Sequence, residues 1–172
     1  MVAAGTAVRV VLAPVIMALL LERSYTAAAI LFLIGAVTDW FDGRLARRWG
    51  VTTPLGAFLD TTADKLLVTT ALIGLVSIHR ASPWVALVMV GREFAILGLR
   101  AAVASGGRRF ATSMFGKWKA TVQFIAIVLA MLRPDAVIAG AYLDQWAMAI
   151  AAIITAWSGI DYILRFSAAL RT

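Results

Sequence analysis

Residues 25–46 read YTAAAILFLIGAVTDWFDGRLA, an apolar run that carries two aspartates, Asp39 and Asp42, toward its end. An α-helix needs about 20 mostly apolar residues to cross the hydrocarbon core of a bilayer, and this run has that length. Similar runs fill most of the chain, and the six together are residues 6–21, 25–46, 54–78, 83–104, 113–132 and 142–168. The sequence therefore predicts an all-α, polytopic membrane protein with six transmembrane helices.

The composition excludes a soluble globular domain. Of the 172 residues, 62% are hydrophobic and 15% are charged, whereas a soluble domain has about 45–50% apolar and about 25% charged residues. Only short polar breaks separate the apolar runs, so we expect a single domain over residues 1–172. Residues 6–21 lack the pattern of a cleaved signal peptide, and we expect them to form the first span.

The residue types that are missing also narrow the chemistry. The chain has no cysteine and one histidine, His79. Disulfides, thiolate catalysis and cysteine-ligated zinc are therefore excluded, as is a metal site built from several histidines.

The basic residues predict the orientation in the membrane. The chain has 16 Lys and Arg against nine Asp and Glu, a formal net charge of +7. Eleven of these cations lie on one side of the predicted spans and three (Arg23, Arg80 and Arg133) lie on the other. The positive-inside rule then places both termini in the cytoplasm. In a membrane protein this excess favours anionic headgroups or substrates as partners and not nucleic acid.

Four carboxylates stand inside the apolar runs, within 26 residues of each other: Asp39, Asp42, Asp60 and Asp64. The first pair is spaced i,i+3 and the second i,i+4, so each pair shares one helical face. A carboxylate at membrane depth costs at least a few kcal/mol, and four would also repel each other. We therefore expect cations to compensate them. Oxygen ligands without nearby His or Cys select Mg²⁺, Mn²⁺ or Ca²⁺ over zinc.

Glycine and arginine are in register with these acids. Asp39, Gly43 and Arg47 follow one another at one-turn spacing, and Gly56 lies one turn before Asp60. This order suits a metal-bound diphosphate, because the arginine neutralises charge and the glycines leave room. Two alternatives stay open: a buried salt-bridge network that uses Arg44, Arg47, Arg48 or Lys65, and an ion or proton pathway of a transporter.

These residues fill every position of D-x-x-D-G-x-x-A-R-x8-G-x-x-x-D-x-x-x-D. This pattern resembles the signature of the CDP-alcohol phosphatidyltransferases. The resemblance implies a six-helix integral membrane enzyme, usually a homodimer, whose site faces the cytoplasm at the inner membrane. Such enzymes use two divalent ions, Mg²⁺ or Mn²⁺, to transfer a phosphatidyl group from CDP-diacylglycerol to an alcohol, with release of CMP.

Carried over by position, the resemblance implies a role for each residue of the pattern. The metal ligands would be Asp39, Asp42, Asp60 and Asp64, and Asp64 would also be the general base toward the acceptor hydroxyl. The contacts to the CDP part would come from Asp39, Gly43, Ala46, Arg47 and Gly56.

A second group of residues bears on the acceptor alcohol. Arg92 and Arg100 lie about two turns apart in the fourth run, and Lys117 and Lys119 follow near the cytoplasmic side. Cations beside an acidic metal site favour an anionic acceptor, although Arg92 could instead pair with its neighbour Glu93. The wider sequence resembles the bacterial branch of the family that uses sn-glycerol 3-phosphate. Charge alone does not separate this acceptor from inositol 1-phosphate, the acceptor of phosphatidylinositol phosphate synthases.

Overall fold

The computed structural model of the chain describes residues 2–49, 54–105 and 114–170. Within these ranges, side chains are described except at residues 2–4, 39–49, 54–55, 57, 103–105, 114–117, 165 and 167–170. The helices in the described ranges are α1 (Val2–Leu21), α2 (Tyr25–Trp49), α3 (Pro54–Ser77), α4 (Pro83–Ser105), α5 (Met114–Leu132) and α6 (Leu143–Leu170). Each predicted apolar run thus corresponds to one helix, which confirms the helical fold class.

The first three helices form one compact unit, Met1–Arg80, in which α1 packs against both α2 and α3. Arg9 contacts Asp60 near the starts of α1 and α3, and Leu20 approaches Gly74 near their ends. The two helices therefore run parallel, and α1 reaches the start of α3, where the second aspartate pair lies.

Two glycines allow the close packing inside this unit. A Cβ atom at Gly74 would lie 2.6 Å from Leu20 Cδ1, and one at Gly35 would lie 2.8 Å from Leu67 Cδ2. Contacts this short do not occur between real side chains, so a larger residue at either position would require the leucine side chain to move. The two glycines therefore leave the space that Leu20 and Leu67 occupy.

The last three helices form the second unit, Ala81–Thr172, in which α6 packs against both α4 and α5. Between α5 and α6, two strands of two residues each, β1 (Val137–Ile138) and β2 (Ala141–Tyr142), form an antiparallel hairpin. This hairpin is the one feature of the described secondary structure that the apolar pattern does not predict. The Trp146 indole N–H donates to the Ile138 carbonyl at 2.9 Å and holds the hairpin against the start of α6.

Basic residues terminate three of the helices. Arg23, His79 and Arg133 follow the ends of α1, α3 and α5 with φ angles of 63°, 56° and 41°, in the left-handed region. After α1, the Arg23 and Ser24 N–H groups donate to Leu20 and Leu19 carbonyls, which is the Schellman arrangement that satisfies the last carbonyls of a helix. The positive charges of Arg23 and Arg133 at these ends also interact favourably with the helix dipole.

The helices present much apolar surface. By length and composition alone, one segment in the described part of the chain is long and apolar enough to cross a membrane, Leu143–Leu164, with a mean hydropathy of 1.6. All six helices expose large apolar side chains, among them Val11 at 63% and Ile153 at 69%. Such surface is typical of proteins that contact lipid or a partner. The six-span topology, the orientation of the termini and the single domain stay predictions.

Candidate active site

The acidic motif is divided between two helices of the first unit. Asp39 and Asp42 lie in the second half of α2, and Asp60 and Asp64 lie in the first half of α3. The side chains of residues 39–49, and with them the predicted contributions of Asp39, Asp42, Gly43, Ala46 and Arg47, lie outside the described residues. The geometry of the site is therefore built from α1 and α3.

Asp60 is held by two residues of α1. The Arg9 guanidinium donates from Nη1 to Asp60 Oδ1 at 2.7 Å, and the Thr6 hydroxyl donates to the same oxygen at 3.4 Å. The Arg9 side chain is fully buried, whereas the Asp60 side chain keeps 27% of its surface exposed. A buried guanidinium requires a carboxylate or other acceptors beside it. The ion pair therefore fixes the carboxylate at a definite place between α1 and α3.

Asp64 lies one turn after Asp60, half-buried, with the neighbouring Lys65 Nζ at 3.3 Å from its Oδ2. Both side chains remain about one quarter exposed. Two of the four carboxylates thus have a cation of the chain beside them, which is what the salt-bridge alternative requires for those two. Each of these contacts engages a single oxygen of its carboxylate. Arg9, which makes the shorter contact, was not among the cations that the sequence suggested for this purpose.

The described residues contain no cluster of three or more His, Cys, Asp or Glu side chains that could hold a metal ion. The side chains of two of the four predicted ligands, Asp39 and Asp42, are not among those that the structure describes. Asp60 and Asp64 together offer carboxylate oxygens that are partly exposed, at the end of α3 opposite to His79.

The predicted acceptor residues in the second unit share one carboxylate. The Lys119 ammonium forms an ion pair with Glu93 Oε1, and Arg92 Nη1 lies 3.5 Å from the same oxygen. Arg92 Nη2 also donates to the Ser158 hydroxyl at 2.8 Å. Lys119 and Glu93 are buried. Two cations against one anion leave this group with a net charge of about +1, so it is a preformed positive centre between α4, α5 and α6.

Of the two other predicted acceptor residues, Arg100 is the one whose side chain the structure describes. The Arg100 side chain is exposed, and its guanidinium carbon lies 5.6 Å from the centroid of the Tyr162 ring. Lys117 lies outside the residues whose side chains are described. In the described part of the chain, Arg92 Nε and the Tyr162 hydroxyl are buried without a hydrogen-bond partner. Buried polar atoms are rarely left in that state, so these two atoms have hydrogen-bonding capacity that the described residues do not use.

Sequence reasoning did not find two residues of this cluster, Ser158 and Gly159. Ser158 precedes Tyr162 by four residues, so both lie on one face of α6, and that spacing was the available signal. Gly159 leaves the space that the aliphatic part of Arg92 occupies. Glu93, considered as a partner of Arg92, is in fact shared between Arg92 and Lys119.

Comparisons with known proteins cover most of the chain. The sequence profile of the CDP-alcohol phosphatidyltransferase family matches residues 3–157. A CDP-diacylglycerol–glycerol-3-phosphate 3-phosphatidyltransferase of Sodalis glossinidius (strain morsitans) is 45% identical over 140 residues, which cover 78% of this chain and 75% of the relative. Proteins with the same name from Shigella flexneri serotype 5b and Escherichia coli K12 are 44% identical over 142 residues, 80% of this chain and 76% of each relative.

Proposed function

The chain belongs to the CDP-alcohol phosphatidyltransferase family, and from this premise we propose that it transfers the phosphatidyl group of CDP-diacylglycerol to sn-glycerol 3-phosphate. The products are phosphatidylglycerol phosphate and CMP. The observation that carries the proposal is the complete acidic motif across α2 and α3, on a chain whose relatives at 44–45% identity are named for this reaction.

The donor set fits divalent cations that prefer oxygen ligands. Asp60 and Asp64 present partly exposed carboxylates one turn apart, and the chain has no cysteine and one distant histidine. Such a set favours Mg²⁺ or Mn²⁺. Asp39, Asp42, Asp60 and Asp64 hold two of these ions per site. When bound, the ions supply positive charge that stabilises the phosphate oxygens of the CDP group in the transition state.

The CDP part of the donor lies along α2 and the start of α3. Asp39, Gly43, Ala46, Arg47 and Gly56 form this subsite. The glycines and the alanine leave room for the nucleotide, and the Arg47 guanidinium neutralises phosphate charge with its planar set of donors.

The transfer is a single in-line displacement. Asp64 accepts the proton of the acceptor hydroxyl as that oxygen bonds to the phosphorus of the phosphatidyl group. The bond from this phosphorus to the bridging oxygen breaks, and CMP leaves with the electron pair. The proton then passes from Asp64 to solvent. A positioned general base of this kind contributes about 10²–10⁴-fold to a rate.

The acceptor phosphate is bound by Arg92, Arg100, Lys117 and Lys119. A phosphomonoester carries about two negative charges near neutral pH, and the group of Arg92, Glu93 and Lys119 already has a net charge of about +1. Arg100, exposed beside Tyr162, adds a second positive charge. Charge balance therefore favours a phosphorylated alcohol over serine, ethanolamine or choline.

The enzyme lies in the cytoplasmic (inner) membrane with six spans, both termini and the active site on the cytoplasmic side. The apolar surface on every helix supports contact with the bilayer, and the distribution of the cations supports this orientation.

The enzyme acts as a homodimer, and α4 offers a surface for close helix packing. Gly91, Ala95, Gly98 and Ala102 are exposed along one stripe of this helix, and a Cβ atom at either glycine would meet no atom within 4 Å. Small residues at such spacing let membrane helices approach closely.

The proposal is tested with the purified protein in detergent. It should release CMP from CDP-diacylglycerol when glycerol 3-phosphate and Mg²⁺ or Mn²⁺ are present, and a chelator should stop the reaction. In a parallel experiment, the protein is reconstituted in liposomes and proton and cation flux are measured. If the protein conducts protons or cations in liposomes and releases no CMP with any of the divalent metals, the proposal is wrong and the transporter alternative is favoured.

A further inference from the structure

The acidic motif lies on α2 and α3, and the Arg9–Asp60 ion pair connects one of its carboxylates to α1. We propose that Arg9 is a positioning residue for the metal site, which holds Asp60 so that Oδ2 is the oxygen presented to the divalent ions. This inference rests on the proposed function, since it concerns how one of the four ligands is oriented.

The contacts of Asp60 with α1 involve one of its two carboxylate oxygens. Both donors that reach it among the described residues, Arg9 Nη1 at 2.7 Å and Thr6 Oγ1 at 3.4 Å, bind Oδ1. A carboxylate held through one oxygen keeps the lone pairs of the other in a fixed direction. The 27% exposure of the Asp60 side chain shows that it is not enclosed by protein, as a ligand requires.

Arg9 is suited to fix this geometry because it cannot move easily itself. Its side chain is completely buried in the first unit, where α1 packs on α3. Ligating carboxylates are commonly oriented by hydrogen bonds from outer residues, and loss of such a partner typically weakens metal binding about 10–100-fold.

A purely neutralising role for Arg9 makes the opposite prediction. If Arg9 only compensated the charge of Asp60, its removal would leave a more negative site, and a cation would bind with equal or higher affinity. The sign of the change in metal affinity therefore separates positioning from neutralisation, independently of turnover.

The test is a titration of the purified protein with Mn²⁺, in which free Mn²⁺ is followed by electron paramagnetic resonance. Arg9→Gln should bind Mn²⁺ about 10–100-fold more weakly than wild type. Arg9→Lys, which keeps the charge but lacks the planar fork, should lose severalfold. The matched control is Arg80→Gln in the same unit, where the guanidinium stacks over Tyr25 at 3.6 Å, and it should bind Mn²⁺ like wild type.

Unchanged or tighter Mn²⁺ binding by folded Arg9→Gln would overturn the positioning role. If Arg9→Gln does not fold, as judged by size-exclusion chromatography and circular dichroism, Arg9→Lys decides alone, and wild-type affinity in that variant would overturn it. Absence of Mn²⁺ binding by the wild type would instead contradict the proposed metal site itself, and with it the inference.

Discussion

The aliphatic part of Arg92 on α4 lies directly against Gly159 on α6, since a Cβ atom at the glycine would stand 3.0 Å from Arg92 Cγ. That distance is tighter than nine in ten real contacts of a Cβ atom. The glycine therefore sets the position from which Arg92 reaches Ser158 and Glu93.

Gly159→Ala should displace Arg92 by a few tenths of an ångström and weaken its bond to Ser158. We expect the KM for glycerol 3-phosphate to rise severalfold while the KM for CDP-diacylglycerol stays near its original value. Steady-state kinetics of CMP release measure both. The control is Gly98→Ala on the same helix as Arg92, where a Cβ atom would meet no atom within 4 Å, and it should leave both KM values unchanged. Equal KM values for Gly159→Ala and wild type would remove Arg92 from the acceptor site.

Substitution of the general base and substitution of the metal ligands should have different effects on catalysis and binding. Asp64→Asn is expected to lower kcat at least about 100-fold, the lower end of what a general base contributes, while much of the CDP-diacylglycerol binding remains. Asp39→Ala and Asp60→Ala should lose Mn²⁺ binding and donor binding together. Rapid-quench measurements of CMP and equilibrium binding of the donor distinguish the two patterns. A near-wild-type rate in Asp64→Asn would assign the proton to a bound water and not to this aspartate.

Glu93 should matter for stability as well as for the acceptor. It is shared by Lys119 and Arg92, and removal of one partner from a buried ion pair costs about 3–5 kcal/mol. Glu93→Gln is therefore expected to lower the free energy of unfolding by about 3 kcal/mol, seen as a lower Tm in detergent. The exposed Glu22→Gln should leave Tm unchanged.

A double variant checks the cause of that loss. Glu93→Gln combined with Lys119→Met removes both charges of the closest pair, and it should recover part of the stability because no ammonium is left buried without its carboxylate. A double variant less stable than Glu93→Gln would show that Lys119 is held by other groups.

The small-residue stripe of α4 should form the dimer contact. Gly91→Leu or Gly98→Leu places a bulky side chain on this exposed face, and we expect a shift from dimer to monomer. Crosslinking in native membranes and mass photometry in detergent both report the oligomeric state. Ala27→Leu, at an exposed position of α2, serves as the matched substitution and should remain dimeric. If both Gly91→Leu and Gly98→Leu remain dimeric, the dimer contact lies on another surface.

The apolar pattern was sufficient to predict the six helices, because each run is long enough to form a helix and is bounded by a polar break or a proline. It did not predict the Val137–Tyr142 hairpin, since strands of two residues are too short to show a period. Some helix ends also differ from the predicted ends by several residues. For example, α1 begins at Val2, whereas the apolar run begins at residue 6.

The candidate site was predictable where local spacing determines it. Asp60 and Asp64 share a face because they are one turn apart, and this needs no tertiary information. The partner of Asp60 was not predictable in this way. Arg9 is 51 positions away, and its contact with Asp60 depends on how α1 packs against α3, where Leu20 lies beside Gly74. The same holds for Ser158 and Gly159, which meet Arg92 through the packing of α6 on α4.

The central claim is that the acceptor is glycerol 3-phosphate. It is tested most directly by supplying labelled CDP-diacylglycerol and Mg²⁺ with glycerol 3-phosphate, inositol 1-phosphate or glycerol in parallel, and by identifying the labelled lipid product. We expect phosphatidylglycerol phosphate as the main product, little transfer to neutral glycerol, and a raised KM for glycerol 3-phosphate in Arg100→Ala. A preference for inositol 1-phosphate, or equal use of uncharged glycerol, would contradict the assignment of the acceptor.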